Sequence, residues 1–461
     1  AEYQRRYLDL VDNLPDSVAA WPSNPVLECD HLGPIPRANV SIKISSLFAR
    51  TDPIDHAGSL DGLVQSLRPI LERAAERNVL VNFDMEHYAL KDLTLDLFER
   101  CCETVDFTAG LAMQAYLRSG DEDAARMIDW ARRKGRQFTV RLVKGAYWDA
   151  ETIEAEMHGW PVPVWSRKRD TDACLERMTA AFIDAIPTSS GEGGVKLALG
   201  SHNLRSIAVA MALLEQRGLP KEAIELQMLH GMADQLKAVA VNRGMRLREY
   251  VPVGEMIPGM AYLVRRLLEN TSNESWLRGS SVGSVPPEVQ LAPPHGEDPA
   301  TDPGIARIEE GPERHALSAA VEGLGGGRPF FTEPFRDFAQ SDQREAFGKA
   351  IEAATVPSVA IDATIEQADA ALDAASKAFP AWRDTPAAER AAMLHRCANI
   401  MRSRRDTLAG VMIREAGKTW READGDVCEA IDFCEYYARQ AVGMFAPRRL
   451  GKFIGELDNG L

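Results

Sequence analysis

The sequence lacks several things that would mark its class at once. No stretch approaches the roughly 18 consecutive apolar residues of a membrane span, and no signal peptide is visible. The seven cysteines (Cys29, Cys101, Cys102, Cys174, Cys397, Cys428, Cys434) are scattered, odd in number and contain no CxxC pair. This argues against a disulfide framework or a zinc site and for a reducing compartment. Cys428 and Cys434 read as core residues. There is no basic excess: the net charge of −15 disfavours a general nucleic-acid surface. It leaves room for a small anionic substrate held by local arginines. No GxGxxG follows a strand, so no Rossmann fingerprint is present. The Gly323–Gly327 cluster, before Arg328-Pro329, reads as linker.

What is present is ordinary for a soluble globular protein: 45% apolar and 26% charged residues in a chain of 461, enough for two or three domains. The chain opens on Ala1 and ends on Leu461 in what reads as mid-domain, so it is expected to be a piece of a longer protein. After a polar helix-like stretch and a Pro-punctuated loop (residues 1–36), β-branched runs alternate with amphipathic helices. The predicted strands are Asn39–Ser45, Val79–Asp84, Phe107–Gln114, Phe138–Val143, Val195–Gly200, Ile224–Leu229 and Arg248–Val251. Between them the pattern predicts helices such as Leu60–Arg77, Leu93–Glu103, Glu122–Lys134, Asp172–Ile186 and Leu204–Arg217. This alternation predicts parallel strands in βαβ units, as in a (β/α)8 barrel. Seven strands alone also suit a doubly wound sheet, so the count leaves the fold open.

Polar residues recur at the strand ends. Lys43, Asp84, Gln114, Arg141 with Lys144 and Gly145, Ser201-His202-Asn203, His230-Gly231 and Tyr250 all sit near C-terminal ends, where barrels build their sites. Singly, Asp84 or His202 reads equally well as a helix cap, and Lys43 as a snorkelling side chain. Their shared register is what points to a site. The densest segment is Val140–Trp148, where two cations, a glycine and two aromatics follow a strand. Arg, Lys and exposed backbone N–H groups suit a pyrophosphate or a developing negative charge, and Tyr147 and Trp148 could stack on a planar ring or cap the core. Beyond it, residues 251–270 turn through Pro252, Gly254, Pro258 and Gly259 into a helix with Met260, Leu263, Val264, Leu267 and Leu268 on its apolar side. Arg265 and Arg266 lie about 100° apart on that helix, so one must border apolar residues. They read either as an anion clamp or as structurally paired arginines.

Residues 281–329 are Pro- and Gly-rich and read as a linker with a short helix at 314–321. Residues 340–461 read as helical. Predicted helices run over Ile365–Phe379, over Ala387–Arg402 with Thr385 as N-cap and Pro386 at N1, up to Gly417, and over Ala423–Gln440.

SIKIS, VRLVKGAYWD, LHGM and AYLVRRLLEN together resemble the proline dehydrogenase barrel of bacterial bifunctional proline-catabolic enzymes. AFPAWRDTPAAER, REAGKTWREA and AIDFCEYYARQ resemble the opening helices of an aldehyde dehydrogenase. The resemblance implies a (β/α)8 TIM-like barrel lacking its first strand here, then a linker and a truncated aldehyde dehydrogenase region. The implied boundaries are 1–36 for a helical arm, 37–280 for the barrel, 281–340 for the linker and 341–461 for the last region. It implies FAD-dependent oxidation of L-proline to Δ1-pyrroline-5-carboxylate. It also implies onward NAD-dependent conversion to glutamate in the intact protein, by parts this chain lacks.

Carried over by position, Lys43, Arg265 and Arg266 would hold the proline carboxylate, and Leu229, Tyr250 and Tyr262 would pack on its ring. Arg141 would sit near the reactive flavin nitrogen and Gln114 against the flavin ring. Lys144, Gly145, Trp148, His202, Asn203 and Glu269 would hold the rest of the FAD. Asp84 is a candidate for the base, with solvent the other. A quinone at the inner face of the membrane is the implied electron acceptor, for a cytoplasmic protein that forms homo-oligomers when intact. No metal and no nucleic acid is expected. A flavin barrel of the methylenetetrahydrofolate reductase type and a non-catalytic scaffold or regulator are the alternatives. Adjacent arginines suit a small amino acid better than a folate.

Overall fold

The computed structural model describes residues 2–255, 257, 259–260, 262–264, 286–294, 324, 327, 329–359, 362–446, 448–449 and 457–458. Arg265, Arg266 and Glu269, and the predicted helix at 314–321, lie outside the described residues. The chain divides into two compact units, Ala1–Glu154 with Val162–Gly304, and Ala155–Pro161 with Ile305–Leu461.

The first unit is built on seven parallel strands in sequential order: β1 (Ala38–Ile42), β2 (Val79–Phe83), β3 (Ala109–Gln114), β4 (Gln137–Val143), β5 (Gly194–Gly200), β6 (Ile224–Leu229) and β7 (Leu247–Tyr250). All seven expected strands are present, shifted by a few residues at their ends. Among the described residues the sheet is open between β1 and β7. Helices α1 (Glu2–Ala19), α2 (His56–Glu76), α3 (Lys91–Thr104), α4 (Gly120–Lys134), α5 (Trp148–His158), α6 (Lys168–Ile183), α7 (Leu204–Arg217) and α8 (Asp234–Asn242) precede, connect or follow the strands. This is the alternation of a (β/α)8 barrel.

The helix ends follow from local chemistry. The side chain of Asn203 accepts from the N–H groups of Arg205 and Ser206 at the start of α7, and Gly218 closes it at φ 66°. Helix α4 has three acids in its first turn and three bases in its last, complementing its dipole, and ends at Gly135. Among the described residues, no helix is long and apolar enough to cross a membrane.

Alternation along the strands separates two faces. Val79, Val81 and Phe83, then Phe138, Val140 and Leu142, then Val195, Leu197 and Leu199, then Ile224, Leu226 and Met228 are buried in the apolar core shared with the helices. The opposite parity carries Ser41 on β1, Asn82 on β2, Arg141 on β4, Glu225 and Gln227 on β6, and Arg248 and Tyr250 on β7. Small residues flank the arginine: Ala112 on β3 and Ala198 on β5 are its register partners. That gap lets a long side chain lie across the concave face. At the N-terminal ends of the strands, a two-stranded hairpin (Cys29–Asp30 with Gly33–Pro34) is tied down by Lys196 Nζ donating to Asp30 at 2.6 Å and Arg246 donating to the Cys29 carbonyl at 2.8 Å.

In the second unit, α9 (Ser341–Ala353), α10 (Ile365–Arg383), α11 (Ala387–Ser403), α12 (Arg405–Ala416) and α13 (Trp420–Met444) are helical. Capping boxes at Thr364/Gln367 and Thr419/Glu422 start α10 and α13. Pro386 is the N-cap of α11 rather than its first helical residue, and the Thr385 hydroxyl donates back to Ala381 at 2.9 Å. Thr385 thus closes the preceding helix instead of opening the next. Phe338, Phe347 and Trp420 form an aromatic cluster with ring centroids 5.2–5.8 Å apart. Cys428 is buried, whereas Cys434 is half-buried.

Candidate active site

Arg141 is the centre of the polar face. Its Nη1 donates to Asp84 Oδ1 at 2.7 Å, its Nη2 to Ser41 Oγ at 2.8 Å and its Nε to Gln227 Oε1 at 2.6 Å. Its guanidinium also lies 5.2 Å from the centre of the Tyr250 ring. An arginine on β4 therefore touches β1, β6, β7 and the end of β2, none of them its neighbours in the sheet. That reach requires the sheet to curl around it. Three of the five guanidinium N–H groups are engaged, and two are left that no described residue accepts.

Asp84 is the second hub and lies just past the end of β2. Besides Arg141, its Oδ1 accepts from Asn82 Nδ2 at 3.3 Å, its Oδ2 accepts from the Tyr250 hydroxyl at 3.3 Å, and Lys43 Nζ stands 3.7 Å away. Arg141 and Asp84 are both buried. Removing either partner of such a pair leaves an uncompensated buried charge, at a cost of about 3–5 kcal/mol. Burial, then the Asp84 charge, pushes the Tyr250 phenol well above its usual range, so it stays protonated and donates. The Tyr250 and Tyr262 rings stack at 6.5 Å and 23°. Lys43 is half-exposed, and among the described residues its ammonium makes only this long contact with Asp84.

A second group surrounds the loop after β4. Lys144 pairs with Asp172, and burial holds its ammonium below the usual lysine range. Gly145 has φ +145°, and a Cβ there would sit 2.4 Å from the Tyr116 ring, so only glycine fits. The Trp148 indole N–H donates to the Trp165 carbonyl at 2.8 Å. Leu229 donates its backbone N–H to His202 Nε2 at 3.1 Å, placing the end of β6 beside the loop after β5. Asn203 is the α7 cap described above, so its side-chain oxygen is already committed.

Gln114 ends β3. Its Nε2 reaches the Glu86 carbonyl at 3.4 Å, while its Oε1 is buried with no described partner. A buried orphan acceptor calls for a donor from elsewhere. The unsatisfied acceptor and the spare guanidinium donors match the mixed donor and acceptor edge of an isoalloxazine. The residues present therefore fit a flavin.

The structure brings Lys43, Asp84, Arg141, Tyr250 and Tyr262 together, and Lys144, Gly145 and Trp148 into one loop. Arg265, Arg266 and Glu269 fall outside what it describes. Sequence reading passed over Ser41, Asn82, Glu225 and Gln227. The signal for the last two was available: Glu225 and Gln227 share the parity of Leu229 in an apolar strand, and charge inside a strand demands a partner.

The family model for proline dehydrogenase matches residues 1–279, and that for the aldehyde dehydrogenase family matches residues 340–449. The bifunctional protein PutA of Escherichia coli is 30% identical over 460 residues, covering 88% of this chain and 33% of that protein. The chain thus spans about a third of the length of such curated relatives. A 1-pyrroline-5-carboxylate dehydrogenase of Bacillus subtilis is 46% identical over 94 residues, 20% of this chain and 18% of that protein. Among solved structures, proline utilization A from Bdellovibrio bacteriovorus, inactivated by N-propargylglycine, matches with a TM-score of 0.87 at 38% identity. That match covers 99% of this chain and 49% of the other.

Proposed function

The chain belongs to the proline dehydrogenase family, and we propose that it forms the L-proline-oxidising part of a bifunctional, FAD-dependent protein. The observation that carries this reading is the convergence of Lys43, Asp84, Arg141 and Tyr250 on one end of a curled parallel sheet. Residues 37–280 are the barrel, 1–36 its arm, 281–340 a linker and 341–461 the start of an aldehyde dehydrogenase region that is completed, with NAD, in the intact protein.

Proline offers a carboxylate and an apolar ring. Lys43, with Arg265 and Arg266, binds the carboxylate, and Leu229, Tyr250 and Tyr262 wall the ring. A flavin, when bound, supplies the hydride acceptor. Oxidation removes a hydride from the ring carbon and a proton from the ring nitrogen, leaving the C=N bond of Δ1-pyrroline-5-carboxylate. Arg141 holds positive charge where negative charge develops. Both oxygens of Asp84 accept hydrogen bonds, from Arg141 and Asn82 on one and from Tyr250 on the other, so Asp84 positions these groups and solvent receives the proton. Gln114, Lys144, Gly145, Trp148, His202, Asn203 and Glu269 line the flavin. Electrons leave to a quinone at the inner face of the membrane, and the intact cytoplasmic protein self-associates.

The test is product formation by the intact protein with L-proline and a soluble quinone. The expected result is Δ1-pyrroline-5-carboxylate, together with a loss of proline affinity of about 2–4 kcal/mol in Arg266→Met, the scale of a broken charge contact. Absence of product with flavin bound would reopen the substrate, and absence of flavin would leave a scaffold.

A further inference from the structure

Arg141 is held by a group that none of the expected roles includes. Gln227 Oε1 accepts from Arg141 Nε at 2.6 Å, and Gln227 Nε2 donates to Glu225 Oε1 at 2.7 Å. Glu225 in turn accepts from Arg248 at 2.9 and 3.2 Å and from Arg246 at 3.2 Å. Arg246 reaches on to the Cys29 carbonyl in the hairpin beneath the strands. One polar chain therefore runs through the concave face, from the hairpin at the N-terminal ends to Asp84 and Tyr250 at the C-terminal ends.

The amide of Gln227 has only one workable orientation. Turned over, it would set its NH2 against the guanidinium and its oxygen against a carboxylate. Gln227, Glu225 and Arg246 are all buried, so neither mismatch can be relieved by solvent. Burial alone would raise the Glu225 carboxyl, and Arg248 and Arg246 more than reverse it, so it sits below the usual range and stays charged. A neutral amide thus separates this fixed negative charge from the cation at the reacting end.

We propose that Gln227 is a positioning residue for the oxidation. Anchored on Glu225, it fixes the plane of Arg141 and keeps the Glu225 charge one side chain away from it, so that no second carboxylate joins Asp84 against Arg141 where it meets the flavin. This rests on the flavin reading above. An amide suits the position better than a carboxylate, which would set a second negative charge beside Asp84 against Arg141, or an apolar side chain, which would leave its Nε–H unpaired.

Two variants of the intact protein test it. The exchange Glu225→Gln with Gln227→Glu keeps the net charge and the hydrogen bonds that link Arg141 to residue 227 and residue 227 to residue 225, gives up the one from Arg248 Nε to residue 225, and sets the carboxylate against Arg141. A structural role alone leaves the midpoint potential of the bound flavin where it was. The proposal expects it to fall by about tenfold in the reduction equilibrium, ~30 mV for a two-electron couple. The potential is read by dithionite titration against a reference dye, without proline. In Gln227→Met, which preserves length, proline-driven flavin reduction should slow about tenfold, the scale of one charge-assisted hydrogen bond, while proline affinity holds. An unchanged potential in a folded exchange variant overturns the proposal. If the exchange variant does not fold, an unchanged reduction rate in Gln227→Met overturns it. A parent protein whose flavin ignores proline overturns only the substrate, because the potentials still decide the role of Gln227. A parent without flavin overturns both.

Discussion

The two units bury charge in different ways. In the second, Asp424 takes Arg405 at 2.6 and 2.8 Å and the Arg336 backbone N–H at 2.8 Å. Glu435 takes Arg439 at 2.6 Å, His395 at 3.1 Å and Arg402 at 3.3 Å. These pairs join α11, α12, α13 and the segment before α9, every carboxylate oxygen accepts at least one hydrogen bond, and Arg336 Nε and Arg439 Nε stay buried without a hydrogen-bond partner among the described residues. In the first unit, polar side chains from three strands and the end of a fourth converge on one guanidinium. There the hydrogen-bonding capacity is unspent, in two N–H groups of Arg141 and in Gln114 Oε1. Burial of charge alone does not mark a site. Convergence at the C-terminal ends of several parallel strands, with capacity left over, does.

The sharpest way to break this distinction is Asp424→Ala. It should destabilise the second unit by about 3–5 kcal/mol in a denaturant titration and leave flavin reduction by proline untouched, because the lost charge only holds helices together. An effect on the flavin rate would dissolve the contrast. Arg141→Met is the converse. It should lower the rate of flavin reduction about 10²–10³-fold, the scale for losing one preorganised electrostatic group, and stopped-flow absorbance reads it directly.

Apolar burial separates the units too. Helix α2 buries Leu63, Leu67, Ile70, Leu71 and Ala74, whereas α10 buries nothing among the described residues, with Ile365, Leu372 and Phe379 at 78%, 67% and 57% exposure. Leu67→Ala should cost about 2–4 kcal/mol of stability, and Leu372→Ala under about 0.5 kcal/mol. A large cost at Leu372 in the intact protein would show that something beyond the described residues covers this stripe.

The smallest effect concerns Glu151, buried at the start of α5 and accepting the Tyr88 N–H at 2.7 Å. Burial, only partly offset by that N–H, pushes its carboxyl up to about 7 from 4.5. A raised carboxyl binds its proton more tightly in the folded state. Its contribution is therefore most favourable below pH 4.5 and is lost as pH rises through about 7. Glu151→Gln keeps the acceptor and removes the ionisation. It should gain about 1–3 kcal/mol over the parent above pH 7, with no gain at pH 4, in thermal melts across that window.

Much of this was legible in the sequence. Parallel strands announce themselves as short β-branched runs between amphipathic helices, and α7 was bounded correctly because Asn203 and Gly218 punctuate it. Lys43, Asp84, Arg141 and Tyr250 were legible as polar residues at strand ends. Which of them would touch was not, because Arg141 reaches across the curl of the sheet, a consequence of closure that no local pattern encodes. Gln227 was passed over for the same reason: its two partners lie two residues away on its own strand and 86 residues away on another. Asn203 shows the opposite trap, a residue at the right place whose oxygen is spent on a helix cap.

The most direct test of the central claim is the visible spectrum of the intact protein mixed anaerobically with L-proline, first for the parent and then for Arg141→Met. Bound flavin is expected to bleach with proline and with no other amino acid, and to bleach far more slowly without Arg141. Equal bleaching in both proteins would contradict the claim, since the convergence on Arg141 would then have no part in the chemistry.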